Sequence, residues 1–526
     1  MKKLLSFFIL ILLVGCSSQT PHKPAHVLRM NISREPPTMD PRKGSEWIGS
    51  AMHFMLFEGL MRLNPNGTVT PAQARSVEIS DDRMTYMFHL RGSHWSDGTL
   101  VTAKDFELAW KKILDPNFGA VNAPLLYPIK NAEKVKKGEI PIDQLGVSSR
   151  DDLTLIVQLE KPTPYFLDLI TFCVFFPINH TIDEKNPEWM IDASPEFICN
   201  GPFKLKTWKH NREIVLEKNS EYWEAPLINL DQVHISMIAD ENTTLSMYKK
   251  GELDIIGMVV SPLPTDALFH LFEQGVLKSR SAPATTIISF NTERYPFTNK
   301  HIRKALSYAI DRSQIVESIT QLGEEVATNL IPSCLTSGKL NSFFQDHDLA
   351  RAQKELQLGL KELGIDQMPK VTLQYSSSEV NNKLVQFLQE QWKKTLGIDV
   401  TIQKNEHKVL LDLLVNRNYD FGVCYWFAQY SDPMSIFERF KFKKNGKNYP
   451  AWENREYIQL LDQSAHDITP EIRAATFARA EALLLDEMPL APLYHWQTSF
   501  MLSDRFTCDD FEPHGSFDFA RLMVKE

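Results

Sequence analysis

Lysine and arginine are too few to dominate this chain: 57 stand against 66 acidic residues, a net charge of −9 with histidine neutral. No basic stripe appears, which argues against nucleic acid as a partner. The acidic excess is spread along the chain and reads as solubility. Cysteine is sparse, six in 526 residues. Apart from Cys16 they are Cys173, Cys199, Cys334, Cys424 and Cys508, an odd set, so at least one is free or pairs between chains. None has a CxxC or other metal-ligand spacing. For Cys173 and Cys199 two readings stand, a bridge or two buried free thiols. Catalytic spacings are missing too: no HExxH, GxSxG, Walker A or GxGxxG occurs. His89 and His94 beside Trp95 read as surface or structural residues. Asp81-Asp82 and Asp151-Asp152 point apart as neighbours and read as turns before strands. These absences lower the case for an enzyme, and no cofactor is expected.

Long apolar runs are confined to the start. Lys2 and Lys3 precede an apolar stretch of 11 residues, 4–14. A bilayer-spanning helix needs roughly 20, so this reads as a cleavable export signal. Leu13-Val14-Gly15-Cys16 resembles the bacterial lipobox, in which the thiol is acylated and the chain is cut before it. The expectation is a leader over 1–15, a lipid on Cys16 and a polar tether over 16–27. The remainder is expected to be a body held outside the cytoplasm at a membrane, on its periplasmic side or at the cell surface. Its 43% hydrophobic and 23% charged residues are ordinary globular values.

The first third mixes strands and helices. Met84, Tyr86, Phe88 and Leu90 put a large apolar residue at every second position, as in a half-buried strand. Thr102 and Asp105 form a capping-box variant. Phe106, Ala109, Trp110 and Ile113 then make an amphipathic helical face. Residues 152–159 read as another strand, and 200–290 hold several more. Asn299 caps a helix whose face is Ile302, Ala305, Leu306, Ala309 and Ile310. From 371 a clean alternation follows: a strand at 371–375, a helix at 380–396 ended by Gly397, a strand at 398–402, a helix at 406–417 and a strand at 419–425. This βαβαβ pattern predicts parallel strands with right-handed crossovers.

That prediction locates a site, because ligands of open α/β sheets lie beyond the carboxyl ends of the strands. Two loops leave there. One is Ser376-Ser377-Ser378. The other is Trp426-Phe427-Ala428-Gln429-Tyr430-Ser431-Asp432, with Tyr425 just before it. Three aromatics, an amide and a carboxylate suit a cleft that is apolar in bulk with a few placed polar groups. Coverage of the sheet edge by Trp426 and Phe427 is the plainer reading.

Several segments, in order, resemble the extracytoplasmic solute-binding proteins of peptide ABC importers, the oligopeptide-binding group of family 5. They are Glu35-Pro36-Pro37-Thr38-Met39-Asp40-Pro41, Phe57-Glu58-Gly59-Leu60, and the run from Trp95-Ser96-Asp97-Gly98 to Lys104-Asp105-Phe106. Thr163-Pro164-Tyr165-Phe166, Asn200-Gly201-Pro202-Phe203, Asn219-Ser220-Glu221-Tyr222-Trp223 and the helix entry over 297–311 continue the series. The resemblance implies an α/β fold of the periplasmic-binding-protein type II kind, with two lobes, a hinge and three domains. Domain I would be split over 28–65, 200–285 and 500–526. Domain II would be inserted at 66–199, and domain III would cover 286–499. It further implies a monomeric receptor that closes its lobes around a short peptide, pairs with the peptide backbone, and passes it to a permease and its ATPase. Trp95 belongs to a motif that looks structural.

The sequence departs from the family pattern at the cleft. In a loop resembling Trp-Cys-Ala-Asp-Tyr, members hold the peptide ammonium on the aspartate; here the position is Gln429. Facing a neutral amide forfeits a charge-assisted hydrogen bond, on the order of 1.5–3 kcal/mol. The basic positions for the peptide carboxylate read as Val423 and Asn381. Either Asp432 or Glu35 takes the ammonium role, or the ligand is a modified or γ-linked peptide or a non-peptide solute. A surface sensor reusing the fold is a further alternative. Ser289 and Asn291, after the hinge strand, complete the expected ligand contacts, with lobe packing as the plainer reading.

Overall fold

The computed structural model describes residues 26–525 apart from 45–46, 65–66, 259, 337–340, 468 and 508–518. The leader, Cys16, nearly all of the tether and Cys508 lie outside the described residues. Among the described residues, no helix is long and apolar enough to cross a membrane.

The sequence alternation at 371–427 appears as parallel strands. Val371–Ser376 lies between Val400–Asn405 and Phe421–Phe427, parallel to both. Helices Glu379–Leu396 and His407–Val415 make the crossovers. Ser378 caps the first helix through its hydroxyl, and Gly397 ends it with φ +69, a left-handed conformation glycine adopts without a Cβ clash. Leu384, Val385, Leu388 and Trp392 are the buried face of that helix, and Trp392 Nε1 donates to Leu306 O at 2.9 Å.

These strands form one end of an 11-stranded sheet. The other end carries Val27–Ile32, Gln232–Met237, Glu213–Lys218 and Phe203–Lys209. Two strands of 13 residues each, Lys278–Phe290 and Leu490–Leu502, run antiparallel through the middle and link the ends. The first pairs with Phe421–Phe427 at its carboxyl end, and the second pairs with Ile255–Gly257 at its own. Their mutual register breaks between Ser281 and Thr285, the local bend expected of a bulge.

A separate four-stranded antiparallel sheet, Ala74–Ile79, Thr85–Leu90, Thr154–Gln158 and Val147–Asp151, belongs to the 66–199 stretch. Helix Ala103–Leu114 packs on it through Phe106, Ala109, Trp110 and Ile113, all buried as the amphipathic pattern predicts. Asp105 accepts from the Thr102 N–H at 2.8 Å and from Trp95 Nε1 at 3.2 Å. His180 also donates to it through its backbone N–H at 3.0 Å.

Three of the segments that carry the resemblance meet at one buried carboxylate. Glu58 accepts from Gln73 Nε2, Tyr222 Oη and Trp223 Nε1, each at 2.7 Å. Asn200 brackets the Glu58 backbone, accepting from its N–H at 3.1 Å and donating to its carbonyl at 2.9 Å. At Gly201 a Cβ would come within 2.6 Å of the Leu56 and Phe57 backbone, so only glycine lets the chains approach. Burial pushes the Glu58 carboxyl up, and its donors oppose that shift. This node joins chain segments at the wall of a second cavity, away from the aromatic loop.

Cys173 and Cys199 are buried free thiols, not a bridge. Burial raises both to about 12, which leaves them inert at neutral pH.

Candidate functional site

The carboxyl end of the Phe421–Phe427 strand opens onto a cavity of about 730 Å³. That falls within the ~300–1,000 Å³ typical of small-ligand sites. The strand and its loop form one wall, and Ser376, Ser378, Asn381 and His407 extend it. Trp47, Phe54, Asn122, Thr171 and Phe172 come from the first 200 residues. Pro283, Thr286, Tyr494 and Trp496 come from the two long central strands. The cavity therefore lies where the linking strands meet both ends of the molecule.

Aromatic contacts shape it. Trp426 stacks on Tyr449 at 4.7 Å, and the Arg439 guanidinium lies 4.4 Å from the Trp426 ring centre. Phe427 meets Trp47 edge-to-face at 4.1 Å, and Tyr430 stacks on Tyr165 at 5.0 Å. Tyr425 packs against Trp496 at 4.8 Å, whose Nε1 donates to Thr286 Oγ1 at 2.8 Å.

Gln429 is held at both ends of its amide. Lys447 Nζ donates to its Oε1 at 3.4 Å, and its Nε2 donates to Asn122 Oδ1 at 3.1 Å. An ammonium has only donors, so Lys447 fixes which end of the amide faces it. Asn122 Nδ2 in turn donates to Gly44 O at 2.7 Å. The chain of bonds thus bridges the aromatic loop to the opposite wall.

The charges around this loop differ in partner. Asp432 forms a bidentate pair with Arg473, at 2.5 and 2.9 Å, and also accepts from the Met434 N–H at 2.8 Å. Arg439 donates to the carbonyls of Ser435 at 2.9 Å and Phe427 at 2.7 Å. Arg439 and Lys447 both line the cavity, whereas among the described residues no aspartate or glutamate does. Loss of solvation pulls the Lys447 ammonium down to about 8; Arg439 pushes the same way and Glu438 opposes it. Burial raises the Glu438 carboxyl, and the cation of Arg439 draws it back.

The residues expected at the site divide cleanly. Tyr425, Trp426, Phe427, Gln429, Tyr430 and Asn381 line the cavity, as does Val423. Asn381 commits its amide locally, donating to Ser376 O at 2.9 Å. Four expectations are corrected in placement. Asp432 is saturated by Arg473. Glu35 accepts from Trp208 Nε1 at 2.6 Å, His210 Nδ1 at 2.9 Å and the Asn211 N–H at 2.5 Å. Neither carboxylate lines the cavity. Ser289 bonds to the Tyr419 hydroxyl at 2.9 Å, and Asn291 donates to the carbonyls of Arg417 at 2.9 Å and Tyr419 at 3.0 Å. Both are buried lobe packing.

Sequence reasoning passed over Trp47, Asn122, Arg439 and Lys447. The first two lie hundreds of residues from the loop and carry no local signal. The lysines at 441, 443, 444 and 447 did offer one, a cationic cluster soon after the aromatic loop.

Residues 68–448 match the family described as bacterial extracellular solute-binding proteins, family 5 Middle. The chain is 38% identical over 480 residues to the oligopeptide-binding protein OppA of Bacillus subtilis, covering 90% of this chain and 88% of that one. Among solved structures, Listeria monocytogenes OppA bound to peptide is similar with a TM-score of 0.75 and 28% identity, over 95% of this chain and 99% of that one. The Escherichia coli murein tripeptide binding protein MppA is similar with a TM-score of 0.78 and 28% identity, over 95% and 99% of the two chains.

Proposed function

The chain belongs to the bacterial extracellular solute-binding proteins of family 5, and from that premise we propose that it binds short peptides in the cavity beside Trp426 and delivers them to an ABC importer. It is a binding protein of the extracytoplasmic space, not an enzyme. The observation that carries the peptide reading is the position of the cavity. It lies between the carboxyl edge of a parallel sheet and an opposing wall, within reach of two strands that run from one end of the molecule to the other. Relatives named for oligopeptide binding cover nearly the whole chain, and one similar structure holds a peptide.

The domain reading follows the same lines. A split first domain over 28–65, 200–285 and 500–526, an inserted domain over 66–199 and a third over 286–499 put both boundaries of the third domain within the two 13-residue strands. Bending there, near the register break at Ser281 and Thr285, lets the lobes close on a ligand and open to release it. The lipid on Cys16 keeps a monomeric receptor beside its permease and ATPase while the lobes move.

Titration calorimetry tests the peptide reading. Pooled short peptides are expected to bind with micromolar or tighter affinity, whereas free amino acids, oligosaccharides and metal chelates give no heat. Saturable heat from a non-peptide class alone contradicts it.

A further inference from the structure

The cavity's polar end is built for the opposite charge from an ammonium. Lys447 and Arg439 line it, and among the described residues no carboxylate does. The Gln429 amide already accepts from Lys447 and donates to Asn122. Two carboxylates of this loop lie outside the cavity lining: Asp432 is locked to Arg473, and Glu438 is buried where the Arg439 cation acts on it. Trp426 also lines the cavity and is only 5% exposed, so its ring gives the wall an apolar face beside the two cations. Two cations lining a cavity that no carboxylate lines ask for an anionic ligand.

Resting on the peptide reading above, we infer that the ligand presents a carboxylate to Lys447 and Arg439, so that this end of the cleft selects acidic rather than ammonium-bearing groups. The carboxylate comes from an acidic side chain or from the peptide's own terminus; the chemistry is the same. Its oxygens accept from the ammonium, while the Arg439 guanidinium, already held by the Ser435 and Phe427 carbonyls, supplies fixed positive charge. Charge-assisted hydrogen bonds of this kind are roughly twice as strong as neutral ones. Glu438 offsets part of the positive charge, as its influence on Lys447 shows, yet two cations line the cavity against this one carboxyl outside the lining.

Four N-acetylated tripeptides test this by calorimetry: Glu-Ala-Ala and Gln-Ala-Ala, each with a free or an amidated carboxyl terminus. Acetylation removes the ligand's own ammonium. In the unaltered protein, removing one of the two carboxylates is expected to weaken binding about tenfold or more, and the arm that does so identifies the source. With Lys447→Met the difference in affinity between the peptides with and without that carboxylate is expected to shrink severalfold, whatever the variant's overall affinity. Lys447 is exposed, so the variant is expected to fold, and an unchanged unfolding midpoint checks this. Lys447→Arg is expected to restore the discrimination. Equal binding of all four peptides, or a loss unchanged by Lys447→Met, overturns the carboxylate subsite and leaves the peptide reading standing. If none of the four binds while pooled free peptides do, the carboxylate subsite is overturned and the peptide reading stands; if pooled short peptides do not bind either, both are overturned.

Discussion

Two charged groupings flank the same aromatic loop and are handled in opposite ways. On one side Asp432 and Arg473 meet in a bidentate pair, with side chains 8% and 15% exposed. On the other side Arg439 and Lys447 line the cavity, and Glu438 is buried outside that lining. The first pair is complete without a ligand: Arg473 also lies over Phe477 and near Tyr165 of the inserted stretch, so it contributes to how the walls meet. The second is incomplete. A charge the protein neutralises internally holds the scaffold, and a charge it leaves facing a cavity states what the cavity receives.

The sharpest way to break this comparison is to remove the scaffold partner. Arg473→Ala leaves the Asp432 carboxylate buried without its cation. Breaking such a pair is expected to cost about 3 kcal/mol, read as a lower midpoint in denaturant unfolding. Adding Asp432→Asn is expected to recover part of that loss. A change of a few tenths would mean that the pair behaves like an exposed surface bridge. Removing Lys447, by contrast, is expected to change ligand discrimination and not stability.

A smaller effect concerns pH. Asp168, on the inserted stretch, is held up at about 7, first by burial and then by the nearby Asp432 charge, with Arg473 opposing. If the lobes part, its carboxyl returns towards the ordinary value of about 3.9. The closed arrangement therefore binds a proton that the open one has released. Its contribution to closure is fully present below the open-state value and is lost as pH rises through about 7. Ligand affinity is expected to fall between pH 5 and 7.5, and Asp168→Asn to flatten that slope. An identical slope in the variant would remove Asp168 from the closing equilibrium.

The contrast also marks what was legible in sequence. The strands and helices from 371 to 427 could be read because their periodicity is local, and so could the aromatic loop at the sheet's carboxyl edge. The capped helix beginning at Lys300 was read the same way: Asn299 accepts from the His301 N–H at 2.8 Å. Partnerships between distant segments were not legible. Asp432 stands two residues from Tyr430 and looked like a cleft carboxylate, yet its partner lies 41 residues on. Glu35 is claimed by donors more than 170 residues away. Ser289 and Asn291 sit at the end of a cleft-bordering strand, but their side chains pack on Tyr419 and Arg417. The substitution at Gln429 was visible, and so was the absence of charge at Val423 and Asn381. That Lys447 and Arg439 both line the cavity needed the fold that brings them together.

The most direct measurement is to purify the protein from its native producer, denature it, and identify by mass spectrometry what it releases. The account predicts short peptides that carry a carboxylate, on an acidic side chain or at a free carboxyl terminus. Release of a non-peptide solute, or of peptides that carry no carboxylate, would contradict it.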